Sequence, residues 1–202
     1  MTKDDVRQPR QARALKTRGR LLDAVSALAV DPEASLTTSE IAAAAGVSVG
    51  SVYRYFEDGD AAVLCAYDEA LGRVNGRWFG ALPDLVGLAP RAQARAFLDA
   101  YLQSAEQEPN YAALLRHARR RRTAETEYAV NIETPESHAA FASLFGLPNR
   151  PGQIATIKLL KFVTQRLTDL YFSAAAEERA AIAEEIVAYT AGVLERLRNG
   201  AV

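Results

Sequence analysis

Ser48, Ser51, Tyr53, Arg54 and Tyr55 crowd into the segment SVGSVYRY, residues 48–55. Tyrosine hydroxyls at this density suit the oxygens of a phosphate. An arginine suits a phosphate or the O6 and N7 edge of guanine. Val52 and Phe56 are four apart, so on a helix they share one face and turn inward. Val49, Gly50, Ser51, Arg54 and Tyr55 are left outward or near the helix start. Gly50 costs about 1 kcal/mol against alanine inside a helix. It makes sense where the backbone must approach a partner closely.

The residues upstream are those that would hold such a helix in place. Thr37 with Glu40 three residues on forms a capping box, which satisfies the orphan N–H groups of a helix start. Ile41, Ala42 and Ala45 fall on one small face suited to close packing. Gly46 can stop this helix in the left-handed region without a Cβ clash. Val47 is the expected buried residue of the turn, and Ser48 the expected cap of the second helix. Residues 37–56 therefore read as two short helices joined by a tight turn, the arrangement that places a helix in the major groove of DNA. A helical corner in an ordinary α-helical domain would use some of the same signals. Their joint occurrence favours DNA.

On these residues, segment 17–64 resembles the DNA-binding domain of TetR-family transcriptional repressors. The likeness rests on Thr17-Arg18, Leu21, Leu22 and Ala24, then Thr37-Thr38 and Ile41-Ala42. Ala45-Gly46-Val47-Ser48, Gly50 and Tyr53-x-Tyr55-Phe56 complete it. It covers about the first third of the chain. The resemblance implies a double-stranded DNA operator as partner and Arg18, Thr37, Thr38, Ser48, Val49, Gly50, Ser51, Tyr53, Arg54 and Tyr55 as the DNA-facing residues. Two departures stand out. Glu57-Asp58-Gly59-Asp60 replaces the stretch where the family usually carries a phosphate-clamping lysine. The loop 30–36 (VDPEASL) is longer and more acidic than usual and is expected to bulge outward.

The chain has 202 residues and a formal net charge of -1, long enough for two small domains. Charge is uneven: Lys3, Arg7, Arg10, Arg13, Lys16, Arg18 and Arg20 precede Leu21 against only Asp4 and Asp5. Such an arm can follow a phosphate backbone, and its first dozen residues are expected to be unstructured without DNA. Cys65 is the single cysteine, which excludes an intrachain disulfide and fits a reducing cytoplasm. No apolar run approaches the ~20 residues of a membrane span. Richness in alanine and arginine over lysine suggests a bacterial source.

Strand signals are weak and helical periodicity dominates. The expected fold is all-α with about nine helices. A three-helix DNA-binding domain with its basic arm occupies 1–64, and a helical ligand-binding and dimerisation domain occupies 65–202. The last two helices carry Leu160, Val163, Leu167, Ile182, Ile186, Tyr189, Val193 and Leu197 in broad apolar stripes. These are the candidate faces of a homodimeric four-helix bundle. Large rings and a few polar groups suit a cavity for a small, mostly apolar inducer. Its candidate lining is Trp78, Phe79, Phe97, Tyr101, Tyr128, His138, Phe141, Phe162 and Gln165.

Catalytic and metal-binding signals are poor. His117 and His138 are the only histidines, without ligand spacing, and no nucleophile or phosphate-loop motif occurs. No metal, cofactor or enzymatic activity is expected. The run from Arg116 to Arg122 reads as a solvated helix end whose cations complement the macrodipole and pair with Glu125 and Glu127. The combined expectation is a cytoplasmic, ligand-responsive repressor that binds a palindromic operator as a dimer. The competing readings are a ligand-independent architectural DNA binder and a helical enzyme with a vestigial helix-turn-helix.

Overall fold

The computed structural model describes residues 3–122, 135–148 and 150–200, and the side chains of these except 3–11, 135–138 and 151. Among the described residues there are nine α-helices and no strand. They are α1 (Lys3–Leu28), α2 (Thr38–Ala45), α3 (Val49–Tyr53), α4 (Gly59–Ala81), α5 (Pro90–Glu106), α6 (Tyr111–Arg121), α7 (Pro135–Leu144), α8 (Ile154–Ser173) and α9 (Arg179–Asn199). Two boundaries differ from the sequence reading. The arm is helical from Lys3, as its lysines, arginines, glutamines and alanines allow. The recognition helix ends at Tyr53, so Arg54 to Phe56 lie just beyond it.

Two compact units divide the chain. One is Met1–Arg73 with Glu108–Arg122, the other Val74–Gln107 with Thr123–Val202. The expected boundary after Leu64 falls inside α4, whose residues as far as Arg73 group with the first unit. The helix α6 groups with it too, from a point more than thirty residues further along the chain.

The first unit is built on apolar positions spaced for helix faces. Leu21, Leu22 and Val25 of α1 are buried with Ile41, Ala42 and Ala45 of α2, Val52 and Phe56 around α3, and Val63 and Tyr67 of α4. From α6 come Tyr111, Leu114 and Leu115. The Tyr67 and Tyr111 rings stack with centroids 5.9 Å apart. Arg73 Nε donates to the buried Glu108 carboxylate at 2.8 Å, holding the approach to α6.

In the second unit, α9 packs on α5 and α8, and α7 on α8. The core joins Phe97 and Leu98 of α5, Phe141 and Phe145 around α7, Leu160 of α8, and Ile186, Val193, Leu194 and Leu197 of α9. Two buried glutamines tie loops to helices. Gln93 Nε2 donates to the Leu85 and Phe145 carbonyls, and Gln153 Nε2 to the Leu197 carbonyl.

Candidate nucleic-acid interface

The capping box at α2 is formed. Glu40 N donates to Thr37 Oγ1 at 3.3 Å, and Thr37 N donates to Glu40 Oε2 at 2.8 Å. The Thr37 N–H, then its hydroxyl, hold the Glu40 carboxyl below the usual carboxylate range. Gly46 closes the helix at φ 63°, and the Val47 N–H bonds back to the Ala42 carbonyl at 3.0 Å. Val47 itself is half-buried rather than buried. Arg20, in sequence one cation of the basic arm, completes this turn. Arg20 Nη2 of α1 donates to the Ala45 carbonyl at 2.6 Å, placing a cation on the C-terminal end of α2. Arg20 and Ala45 are 25 residues apart, so no local spacing announces the contact.

The start of α3 differs in one respect. Ser48 makes no capping bond. Its hydroxyl pairs with the Ser51 hydroxyl at 2.9 Å, and both serines stay at the surface. Val49, Gly50, Tyr53 and Arg54 are exposed, Tyr53 at 59%. Thr38 Oγ1 lies 3.4 Å from the Tyr53 hydroxyl, linking α2 to that surface. A Cβ on Gly50 would meet nothing closer than Ser48 Oγ at 4.0 Å. Internal packing therefore does not demand this glycine; the open backbone faces outward. Val52 and Phe56 are buried as expected and anchor the helix.

Val49, Gly50, Tyr53 and Arg54 form one exposed row along and just past a short helix, held by a capped helix and a left-handed turn. Residues 24–61 match the family model described as bacterial regulatory proteins, tetR family. The chain is a TetR-family transcriptional regulator. No curated protein matches it significantly. As a member of this family it is a DNA-binding protein.

Other expected site residues fall elsewhere in this TetR-family regulator. Arg18 does not stand free for DNA: its guanidinium pairs with Glu69 and donates to Cys65 Sγ at 2.8 Å, tying α1 to α4. Burial raises the Cys65 thiol above its usual range, against the pull of Arg18. The acidic segment where the lysine was expected is structural. Asp58 caps α4 by accepting the Ala61 N–H at 2.7 Å.

The loop 30–36 is largely exposed but tied to α6, and of the arginines after His117 Arg120 is exposed while Arg121 and Arg122 are mostly covered. His117 Nε2 bonds to the Asp31 carbonyl at 3.0 Å. Arg120 Nη1 donates to the Pro32 carbonyl at 2.8 Å, and Arg121 Nη2 to the Ser35 carbonyl at 3.2 Å. Arg121 Nε also pairs with Asp60 at 2.5 Å and has only 13% of its side chain exposed. Arg122 pairs with Asp68 and lies 5.2 Å from the Tyr67 ring centroid. Backbone carbonyls of the loop outcompete water for these cations because each is presented at fixed geometry. The partners once assigned to the run, Glu125 and Glu127, lie outside the described residues.

The rings expected to line a cavity pack on one another. Trp78 Nε1 donates to the Phe97 carbonyl at 3.1 Å, and its ring lies 4.5 Å from Phe97 and 5.0 Å from Tyr101. Phe97 in turn meets Phe141 at 5.8 Å and Phe145 at 5.0 Å. Phe79 and Phe162 are exposed, and Gln165 is half-buried. Tyr128 and the His138 side chain lie outside the described residues.

Of the expected dimer residues, Leu160, Ile186, Val193 and Leu197 are core of the second unit and unavailable to a partner. Val163, Leu167, Ile182 and Tyr189 are half-buried. The large apolar residues of α8 that face outward are instead Ile154, Leu159, Phe162 and Leu170. The two stripes of a long helix look alike in sequence; only the position of its neighbours decides which one is covered.

No group of three or more His, Cys, Asp or Glu placed to hold a metal ion occurs among the described residues. None of the described helices is long and apolar enough to cross a membrane.

Proposed function

We propose that this TetR-family regulator is a homodimeric repressor that binds a palindromic operator and is released by a small, mostly apolar molecule. The exposed row Val49, Gly50, Tyr53 and Arg54 carries the reading, with Thr37 and Thr38 at its edge and Ser51 and Tyr55 half-buried beside it. One such short helix specifies few base pairs. Twofold pairing doubles the site and sets the two helices about 34–36 Å apart. The outward Leu159, Phe162 and Leu170 of α8, beside exposed Ala181 and Ala188 of α9, support a second copy as the partner. Inducer capture in the second unit would act through α4, a single helix with residues in both units. The coupling needed is about 1–3 kcal/mol.

The decisive experiment is selection from random DNA by the purified protein at controlled salt. The expected product is an inverted repeat. A lone half-site bound by a monomer, or no enriched sequence, would reject the proposal.

One observation favours a second reading, a ligand-independent DNA binder: Trp78, Phe97, Tyr101, Phe141 and Phe145 already fill one another's space. Trp78 is the only tryptophan, so its emission separates the two. An inducer of the first kind changes that emission over the concentration range in which it frees DNA. A screen of apolar ligands that leaves both unchanged favours the second.

A further inference from the structure

His117 is the one buried histidine among the described residues, at 1% exposure, and it sits between the loop before α2 and the arginines of α6. Its Nε2–H donates to the Asp31 carbonyl at 3.0 Å. That leaves Nδ1 without a proton, facing Arg121 Nη1 at 3.5 Å. Here the ring accepts, and the guanidinium donates. Arg121 is itself the bridge of the region. It holds the Ser35 carbonyl at 3.2 Å, one residue before buried Leu36 and two before the cap of α2, and it holds Asp60 in the first turn of α4. The helix-turn-helix lies between those two anchor points in sequence.

We propose that His117 is a proton-sensitive latch: neutral, it locks loop 31–36 and the start of α4 around the helix-turn-helix, and protonated, it releases them and weakens operator binding. The charged groups around the ring, among the described residues, push one way, against the Asp31 carbonyl. From α6, Arg116, Arg120 and Arg121 are cations. The loop gives a carbonyl, not a carboxylate; the Asp31 carboxylate is occupied by the Glu33 N–H at 2.9 Å. From α4, Asp60 reaches the ring only through Arg121. A proton on Nδ1 would set two donors and two cations face to face, with no carboxylate among the described residues bonded to the ring.

Burial, then the neighbouring arginines, lower His117 below its ordinary value despite the Asp31 carbonyl. The neutral form therefore supports the closed latch. That support is complete above the ordinary histidine value of about 6.5 and is lost as pH falls below it toward the lower folded value. An opened latch exposes an ordinary imidazole. At pH 5.5 the open state gains about elevenfold over a closed state that stays unprotonated.

The test rests on the operator-binding reading for one of its two arms. In the first, affinity for the selected operator is measured from pH 7.5 to 5.5 at constant ionic strength. Wild type should weaken by up to about tenfold below pH 6.5. His117→Gln, which keeps a donor for Asp31 and an acceptor for Arg121 without titrating, should stay flat. An unchanged wild type, or an equal loss in His117→Gln, overturns the proposal. In the second arm, amide exchange of residues 31–36 in wild type, corrected for intrinsic rates, is followed across the same range with the His117 resonance. Protection should fall as that resonance titrates. Protection constant to pH 5.5 overturns the latch even if no operator is found, and even if His117→Gln does not fold. Absence of DNA binding at pH 7.5 with the exchange change intact sinks the operator reading alone.

Discussion

Gly59→Ala should destabilise this protein, although alanine is the better helix former. Gly59 is the first residue of α4, with no positive φ to protect. Its difficulty is space. A Cβ there would run into the Leu36 carbonyl oxygen and sit 3.3 Å from Leu36 C and 3.4 Å from Thr37 Cα. All three obstacles are backbone, and they resist displacement. Leu36 is 1% exposed and already held at φ 57°, and Thr37 is the cap of α2. The start of α4 must back away instead, straining Asp58's cap and the Asp60–Arg121 pair. Overpacking of this kind costs about 1–3 kcal/mol, or about 2–12 °C in melting temperature for a chain of this size. Gly76→Ala in the same helix is the control. Nothing lies within 4 Å of its Cβ position, so the helix-propensity gain of about 0.5–1 kcal/mol should appear as a stabilisation. Thermal melts of both variants by circular dichroism give the comparison. A Gly59→Ala protein as stable as wild type refutes the steric argument.

Arg54→Ala should lose about 1–3 kcal/mol of operator affinity and relax preference at one base pair, read by repeating the DNA selection. Tyr53→Phe should instead weaken all sequences alike. Leu159→Glu should yield a folded monomer in sedimentation, whereas Ile186→Glu should unfold the second unit, since only the first side chain is outward; a folded monomer from both would remove the distinction. Arg121→Gln should lower the melting temperature while leaving the salt slope of operator binding unchanged, because its charge is spent on Asp60 and two carbonyls. A slope shallower by one unit would mean a lost phosphate contact.

The first unit was legible where its signals are local. Thr37 and Glu40 are three residues apart, Gly46 stops its own helix, and Val52 and Phe56 share a face by spacing alone. The α-helical class followed from the same periodicity. What stayed hidden depends on partners far along the chain. Arg18 looks like any basic residue until Glu69 and Cys65 are beside it. Arg120 and Arg121 read as a charged surface because their acceptors are loop carbonyls, which carry no sequence signature. The apolar stripes of α8 and α9 failed differently. Both faces are apolar enough to bury, so Leu160 and Leu159 could not be told apart without the packing of α5 and α9.

The contact between His117 and Asp31 spans 86 residues, and this has a bearing on how the protein is born. The first unit cannot close when its helix-turn-helix leaves the ribosome. Its loop must wait for α6, about 4–17 s later at ordinary elongation rates. During that interval Tyr67 lacks its stacking partner, the Pro32 and Ser35 carbonyls lack their arginine donors, and the Asp31 carbonyl keeps only the local Ala34 N–H. A nascent chain ending near residue 73 should therefore remain open to protease in loop 30–36, while one that has exposed residue 122 should not.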